Sequence, residues 1–350
     1  MNTDPASQAG PVREAHRIDP VPLTSWLKSN VEGFQGPVDI TQFKGGQSNP
    51  TYLLATPGQR YVLRKKPPGR LLKSAHQVDR EYRVMSALAD TDVPVPRMYA
   101  LCTDAEVIGT DFYIMECLEG RIFRDPRLPD LSPTERTAVY ESMGEVLAAL
   151  HNVDTTAVDL DEYGRQGNYF DRQLGRWSGQ YRDSQTEQLP DMDTLIDWLP
   201  TNIPDDDSSG IAHGDYRLEN SVYHPDQTRM IAVLDWELST LGHPLADLAY
   251  NCMGYHVQSP TQSGLVDVDF AATGIPSEEQ YVASYCRRTG RDGIDNWNYY
   301  IAFSLFRMAA ITQGVYKRGL DGNASSELAT TYGEVCRYLA TRACELLELD

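Results

Sequence analysis

The first hydrophobic runs along the chain are short, and turn residues separate them. "VDITQFK", "TYLLAT" and "RYVLRKK" read as β-strands, with the turn-rich "GGQSNP" and "PGQ" between them. In "SAHQVDREYRVMSALAD", Val78, Tyr82, Met85 and Leu88 follow helical spacing, and Ser74 with Gln77 reads as a capping box. "VPVPRMYAL" and "DFYIMECL" predict two more strands, about five strands and one helix before Gly120. Beyond Gly120 the period changes. In "SPTERTAVYESMGEVLAALH" Ser132 is the expected N-cap, Pro133 opens the first turn and Glu135 completes the box. Val139, Met143, Val146, Leu147 and Leu150 form its apolar stripe. Further helices are expected near 167–182, 190–199, 277–289, 295–317 and 325–347. A β-like interruption at 210–238 includes the continuous apolar run "RMIAVLDW". No internal repeat is visible. The pattern divides the chain into a flexible arm (1–20), a β-rich part (21–118) and a helical part (119–350).

Composition narrows the function classes. The 350 residues suffice for two lobes, each with a core. No apolar run approaches the ~20 residues of a membrane helix, and the N-terminus lacks the basic start and apolar centre of a secretory signal. Six scattered cysteines without a C-x-x-C fit reduced thiols in a cytoplasm and offer no zinc spacing. A formal net charge of −19 argues against nucleic acid, whose phosphates demand a basic footprint. It suits a solubilising acidic surface or a cationic small-molecule substrate.

Four pieces carry candidate chemistry. Gly45 and Gly46, with Ser48 and Asn49 behind them, let backbone N–H groups approach an anion closely, as a plain hairpin turn also would. In "YVLRKKP" alternation sets Val62 and Arg64 on one face and Leu63 and Lys65 on the other. Glu81 falls on or near the buried stripe of its helix and needs a partner, Arg64 or Lys65. Finally "HGDYRLEN" and "VLDWE" supply Asp215, Asn220, Asp235 and Glu237. Asn220 and Asp235 could reach one magnesium ion, which prefers oxygen ligands, while Asp215 points at an acceptor.

The order of these parts is the order used for phosphoryl transfer in the kinase arrangement. With "HGDYRLEN" and "VLDWELSTLGHPLADLAY" the chain resembles the aminoglycoside phosphotransferase and choline kinase family from about residue 22 to its end. "GGQSNPTYLL" and "YVLRKKPPGRLLKSAHQVDREYRV" are similar, more narrowly, to the kinase-like domain fused to acyl-CoA dehydrogenases in animals and free-standing in many bacteria. The resemblance implies an α+β, bilobal, protein-kinase-like fold with a five-stranded antiparallel sheet plus helix and a mostly helical C-lobe. It implies ATP and Mg2+ as cofactors and a small hydroxylated molecule as acceptor, handled by a monomer or homodimer. Asp215 would be catalytic, Asn220 and Asp235 the metal ligands, and Glu81 the ion-pair partner of Arg64. Gly45, Gly46, Gln47, Ser48 and Asn49 would line the nucleotide, Glu116, Cys117 and Leu118 would form the adenine hinge, and Asp247 would brace the catalytic loop. His-Gly-Asp in place of His-Arg-Asp, and Asp-Trp-Glu in place of Asp-Phe-Gly, speak against a protein kinase. The acceptor expected first is a hydroxyacyl-CoA; an antibiotic phosphotransferase and a nucleotide-binding pseudokinase are the alternatives. The basic cluster Arg64, Lys65, Lys66, Arg70 and Lys73 reads either as a solvated loop or as a site for substrate phosphates.

Overall fold

A computed structural model describes residues 4–44, 49–67, 77–258, 264–323 and 327–349. The chain divides into two units. The first comprises Met1–Phe123, Thr156–Leu160 and Leu218–Ser239; the second comprises Arg124–Thr155, Asp161–Arg217 and Thr240–Asp350.

The first unit is built on a six-stranded antiparallel sheet. Its strands are β1 (Ala9–Gly10), β2 (Asp39–Phe43), β3 (Thr51–Ala55), β4 (Arg60–Lys65), β5 (Met98–Cys102) and β6 (Phe112–Glu116), in the order β1-β2-β3-β4-β6-β5. The five expected strands are all present. The sixth, β1, lies in the stretch expected to fray: Ala9 and Gly10 pair with Phe43 and Gln42. An exposed edge strand offers unpaired backbone groups that even a short polar segment can satisfy. Just after it, helix α1 (Pro20–Asn30) was also not foreseen. Asp19 caps it by accepting from Val21 N–H, and Pro20 sits in the first turn, where a proline costs no hydrogen bond.

Alternation along the strands gives the sheet two faces. Tyr52, Leu54, Tyr61, Leu63, Phe112 and Ile114 pack with Leu23 and Leu27 of α1. The opposite face carries Arg64 and Tyr113, whose polar groups meet Glu81 of α2 (Val78–Leu88). That helix begins at Val78 with Gln77 in the cap position and without a side-chain cap, so Gln77 is not the third residue of a capping box. Ser74, its expected N-cap, lies outside the described residues. A hairpin of β8 (Ser221–Tyr223) and β9 (Met230–Val233) completes this unit, tied to it by Val233 N–H donating to Pro94 O at 2.9 Å. Gly120 permits the close approach of this hairpin, since a Cβ there would lie 2.4 Å from Val222 Cγ1 and 2.5 Å from Tyr223 O.

The second unit is mostly helical. Helix α4 (Pro133–His151) has the expected capping box, Ser132 with Glu135, and its five stripe residues are buried. Helices α5 (Tyr169–Ser184), α6 (Pro190–Trp198), α9 (Glu278–Thr289), α10 (Trp297–Leu320) and α11 (Tyr332–Leu346) fall near the expected ranges. The long α10 packs against α5, α11 and α7 (Pro244–Cys252). Antiparallel pairing of Gly210–Ala212 with Thr240–Gly242 brings the start of the "HGD" loop beside the start of α7. No described helix is long and apolar enough to cross a membrane.

Candidate active site

In the first unit the candidate residues form one buried ionic cluster. Arg64 is only 8% exposed and Glu81 1%. Arg64 Nε lies 2.9 Å from Glu81 Oε2, its Nη2 lies 2.5 Å from Asp235 Oδ1, and Glu237 Oε2 is 3.5 Å away. Two donors hold Glu81 from the other sides: Asn49 Nδ2 to Oε1 at 2.8 Å and the Tyr113 hydroxyl to Oε2 at 3.0 Å. Burial works against the charged guanidinium, but Glu81, Tyr113, Asp235 and Glu237 together outweigh it and hold Arg64 above its ordinary value. Burial pushes the Glu81 carboxyl up, and Arg64 pulls it back. The choice that the sequence leaves open between Arg64 and Lys65 is thus decided by strand parity. Arg64 faces α2, whereas the Lys65 ammonium lies over the Tyr52 ring, 5.7 Å from its centroid.

Asn220 and Asp235 stand at the same end of the β8–β9 hairpin. Asn220 closes a 3-10 turn and is buried, and its backbone O accepts from Leu234 N–H at 2.8 Å. Asp235 follows immediately, in the left-handed region at φ 65°. Few side chains tolerate that conformation, and aspartate is among those that do. An amide and a carboxylate offer hard oxygens of the kind Mg2+ takes, and a ligand's phosphates complete such a shell. Among the described residues there is no group of three His, Cys, Asp or Glu that could hold a metal ion.

Asp215 belongs to the second unit, where its loop is over-determined. Asp247, 1% exposed, accepts from His213 N–H at 2.5 Å and from Gly214 N–H at 2.8 Å. Burial alone would raise the Asp247 carboxyl; His151, His213 and the Gly214 N–H hold it below its ordinary value. Arg307 Nη2 donates to Gly214 O at 2.5 Å, and its guanidinium is flanked by the rings of Tyr250 at 5.0 Å and Trp177 at 5.5 Å. Asp215 itself is held by the Tyr250 hydroxyl, which donates to Oδ1 at 2.6 Å, and by Arg217 Nε, 3.3 Å from the same oxygen. Tyr250 and Arg307 are site residues that the sequence does not single out. The one available signal was an arginine in the apolar stretch "IAFSLFRMAAI" of α10.

Other candidates lie elsewhere. Gly45, Gly46, Gln47 and Ser48 fall outside the described residues, as do Arg70 and Lys73. Lys66 is engaged with Asp111, Nζ to Oδ2 at 2.5 Å, which favours the solvated-loop reading for that residue. Glu116 ends β6 opposite Tyr61, and it and the following Cys117 and Leu118 are half-buried. Burial pushes the Cys117 thiol up to about 11.

Residues 39–292 match the phosphotransferase enzyme family. Mouse acyl-CoA dehydrogenase family member 10 is 47% identical over 336 residues, covering 95% of this chain and 31% of the mouse protein. The chain thus spans less than half the length of the curated relatives it matches. A crystal structure from Ralstonia eutropha, assigned as an aminoglycoside phosphotransferase, is 51% identical with a TM-score of 0.89, covering 95% of this chain and 99% of that one. A thermostable mutant of an aminoglycoside phosphotransferase, solved with ADP and hygromycin B, is 18% identical with a TM-score of 0.59, covering 91% of this chain and 97% of that one. The last likeness shows the fold alone, which is the α+β, protein-kinase-like one.

Proposed function

We propose a reaction for this chain, which belongs to the phosphotransferase enzyme family: transfer of the γ-phosphate of ATP, with magnesium, to a hydroxyl of a small molecule. The observation that carries it is the Arg64 guanidinium, which joins the glutamate of α2 to the aspartate after β9. Those are the strand cation, helix glutamate and metal-side aspartate that phosphoryl transfer uses.

Catalysis in this reading is mostly positioning and charge neutralisation. Arg64, held by Glu81, neutralises phosphate oxygens. Asn220 and Asp235 are the residues that would hold Mg2+, which when bound neutralises charge on the transferring phosphate. Gly45 to Asn49 would cover the phosphates, and backbone groups of Glu116 to Leu118 would receive the adenine. Asp215 accepts a hydrogen bond, then the proton, from the acceptor hydroxyl. Its Oδ1 takes the Tyr250 hydrogen bond, which fixes the orientation of the carboxylate.

The acceptor class to test first is a hydroxyacyl-CoA thioester. The mouse relative is named an acyl-CoA dehydrogenase family member, and the stretch matching this chain is one part of it. Incubation of the protein with ATP, magnesium and either a metabolite extract or hydroxyacyl-CoAs, read by mass spectrometry, should yield a phosphorylated product. Asp215→Asn should lower its formation by about two to four orders of magnitude, the range of a lost general base, with nucleotide binding kept. Turnover within about tenfold of wild type would remove Asp215 from this role. Binding of ATP without turnover on any hydroxyl compound would favour a nucleotide-binding module.

A further inference from the structure

Lys65 is a buried lysine that the proposed reaction does not use. It is 6% exposed, at the end of β4, opposite Phe112 of β6. Its ammonium lies over the Tyr52 ring. Among the described residues no carboxylate pairs with it, and the stretches 45–48 and 68–76 contain no Asp or Glu. A buried ammonium without a counter-charge is costly, and one aromatic face offsets only part of that cost.

Further hydrogen-bond donors gather beside it. The Tyr52 hydroxyl donates to His16 O at 2.8 Å. Gln42 orients the imidazole: its Oε1 accepts from Arg13 N–H at 3.1 Å, so its amide nitrogen, 2.9 Å from His16 Nδ1, donates there. The neutral His16 ring therefore carries its proton on Nε2, where it can donate. Burial lowers the His16 ring below its ordinary value, and the charges of Lys65 and Arg13 lower it further. In a chain of net charge −19, a guanidinium and an imidazole N–H thus stand near one buried ammonium.

We propose that Lys65, His16 and Arg13 form a binding site for the phosphate group of a small-molecule ligand, on the sheet face opposite to Arg64. A tetrahedral dianion can accept from an ammonium, an imidazole N–H and a guanidinium, and it supplies a counter-charge. The parity of β4 separates this site from the Arg64 cluster, because adjacent strand residues point to opposite faces.

Residue-specific acylation tests this on the wild-type chain, with the modification of each lysine followed by peptide mass spectrometry. Burial holds Lys65 below the ordinary lysine value, which favours the reactive amine relative to an exposed lysine. Inorganic phosphate at about four times its dissociation constant should slow Lys65 acylation about fivefold against sodium chloride of equal ionic strength. Lys66, already paired with Asp111, should be unaffected. As a second measurement, phosphate should raise the melting temperature of the wild type more than that of Lys65→Met, the cooperative melting of the variant showing that it folds. The proposal is overturned if phosphate leaves Lys65 acylation unchanged, if all lysines are slowed alike, or if sodium acetate protects as well as phosphate.

Discussion

Arg64 and Asp215 illustrate two ways in which this protein holds a charge. Arg64 is surrounded by Glu81, Asp235 and Glu237, so its charge is compensated before any ligand arrives. Asp215 is held by the Tyr250 phenol and by Arg217, on a loop pinned through its backbone by Asp247 and Arg307. Tyr250 is therefore a positioning residue in the proposed reaction. Tyr250→Phe should lower kcat about tenfold with the ATP KM unchanged, the scale of a hydrogen bond to a charged group. On an Asp215→Asn background it should cost little more, because both changes remove the same function. Steady-state kinetics of the four proteins check this, and full additivity would refute it. A second residue sets an acid-stability window. Burial would raise the Asp206 carboxyl, but Ser208, His243 and Arg291 hold it down at about 2. With the unfolded value near ~4, the folded pKa is the lower one. Its contribution is thus present above pH ~4 and lost as pH falls towards about 2. Asp206→Asn should flatten the urea stability profile across that window, and an unchanged slope there would count against the assignment.

At the scale of elements, legibility followed local chemistry. Helix α4 was readable because Ser132, Pro133 and Glu135 state its start and the stripe from Val139 to Leu150 states its buried face. Ser132→Ala should cost about 1 kcal/mol, measured by urea unfolding, with Ser132→Gly costing less. Strands β2 to β6 were readable for a similar reason, their short apolar runs being bounded by turns. Strand β1 was not, because two small residues acquire a strand conformation only from the free edge of β2. Helix α1 was hidden by prolines at 20 and 22, which suggest a loop unless the first turn is recognised. The start of α2 was read too early for the opposite reason. Ser74 and Gln77 match a capping pattern by spacing alone, yet the described helix begins at Val78.

For the molecule as a whole, the proposed reaction couples nucleotide and metal to stability. ATP with magnesium should raise the melting temperature in a concentration-dependent way, as any ligand of the native state does. Asp235→Asn should remove the magnesium-dependent part of that shift while leaving a shift with nucleotide alone. An unchanged magnesium dependence would exclude Asp235 as a metal ligand. The chain by itself determined a β-rich part followed by a helical one, and the family whose parts appear in that order, because strand runs, capping boxes and the "HGDYRLEN" and "VLDWE" stretches are written in contiguous residues. Only tertiary structure decided that Arg64, and not Lys65, meets Glu81, that Tyr250 holds Asp215, and that Lys65 is buried near His16 with no acid paired to it among the described residues. The physical reason is common to all three. Each depends on which face of an element is turned towards a partner far away in the chain, and spacing along one segment carries no information about that partner.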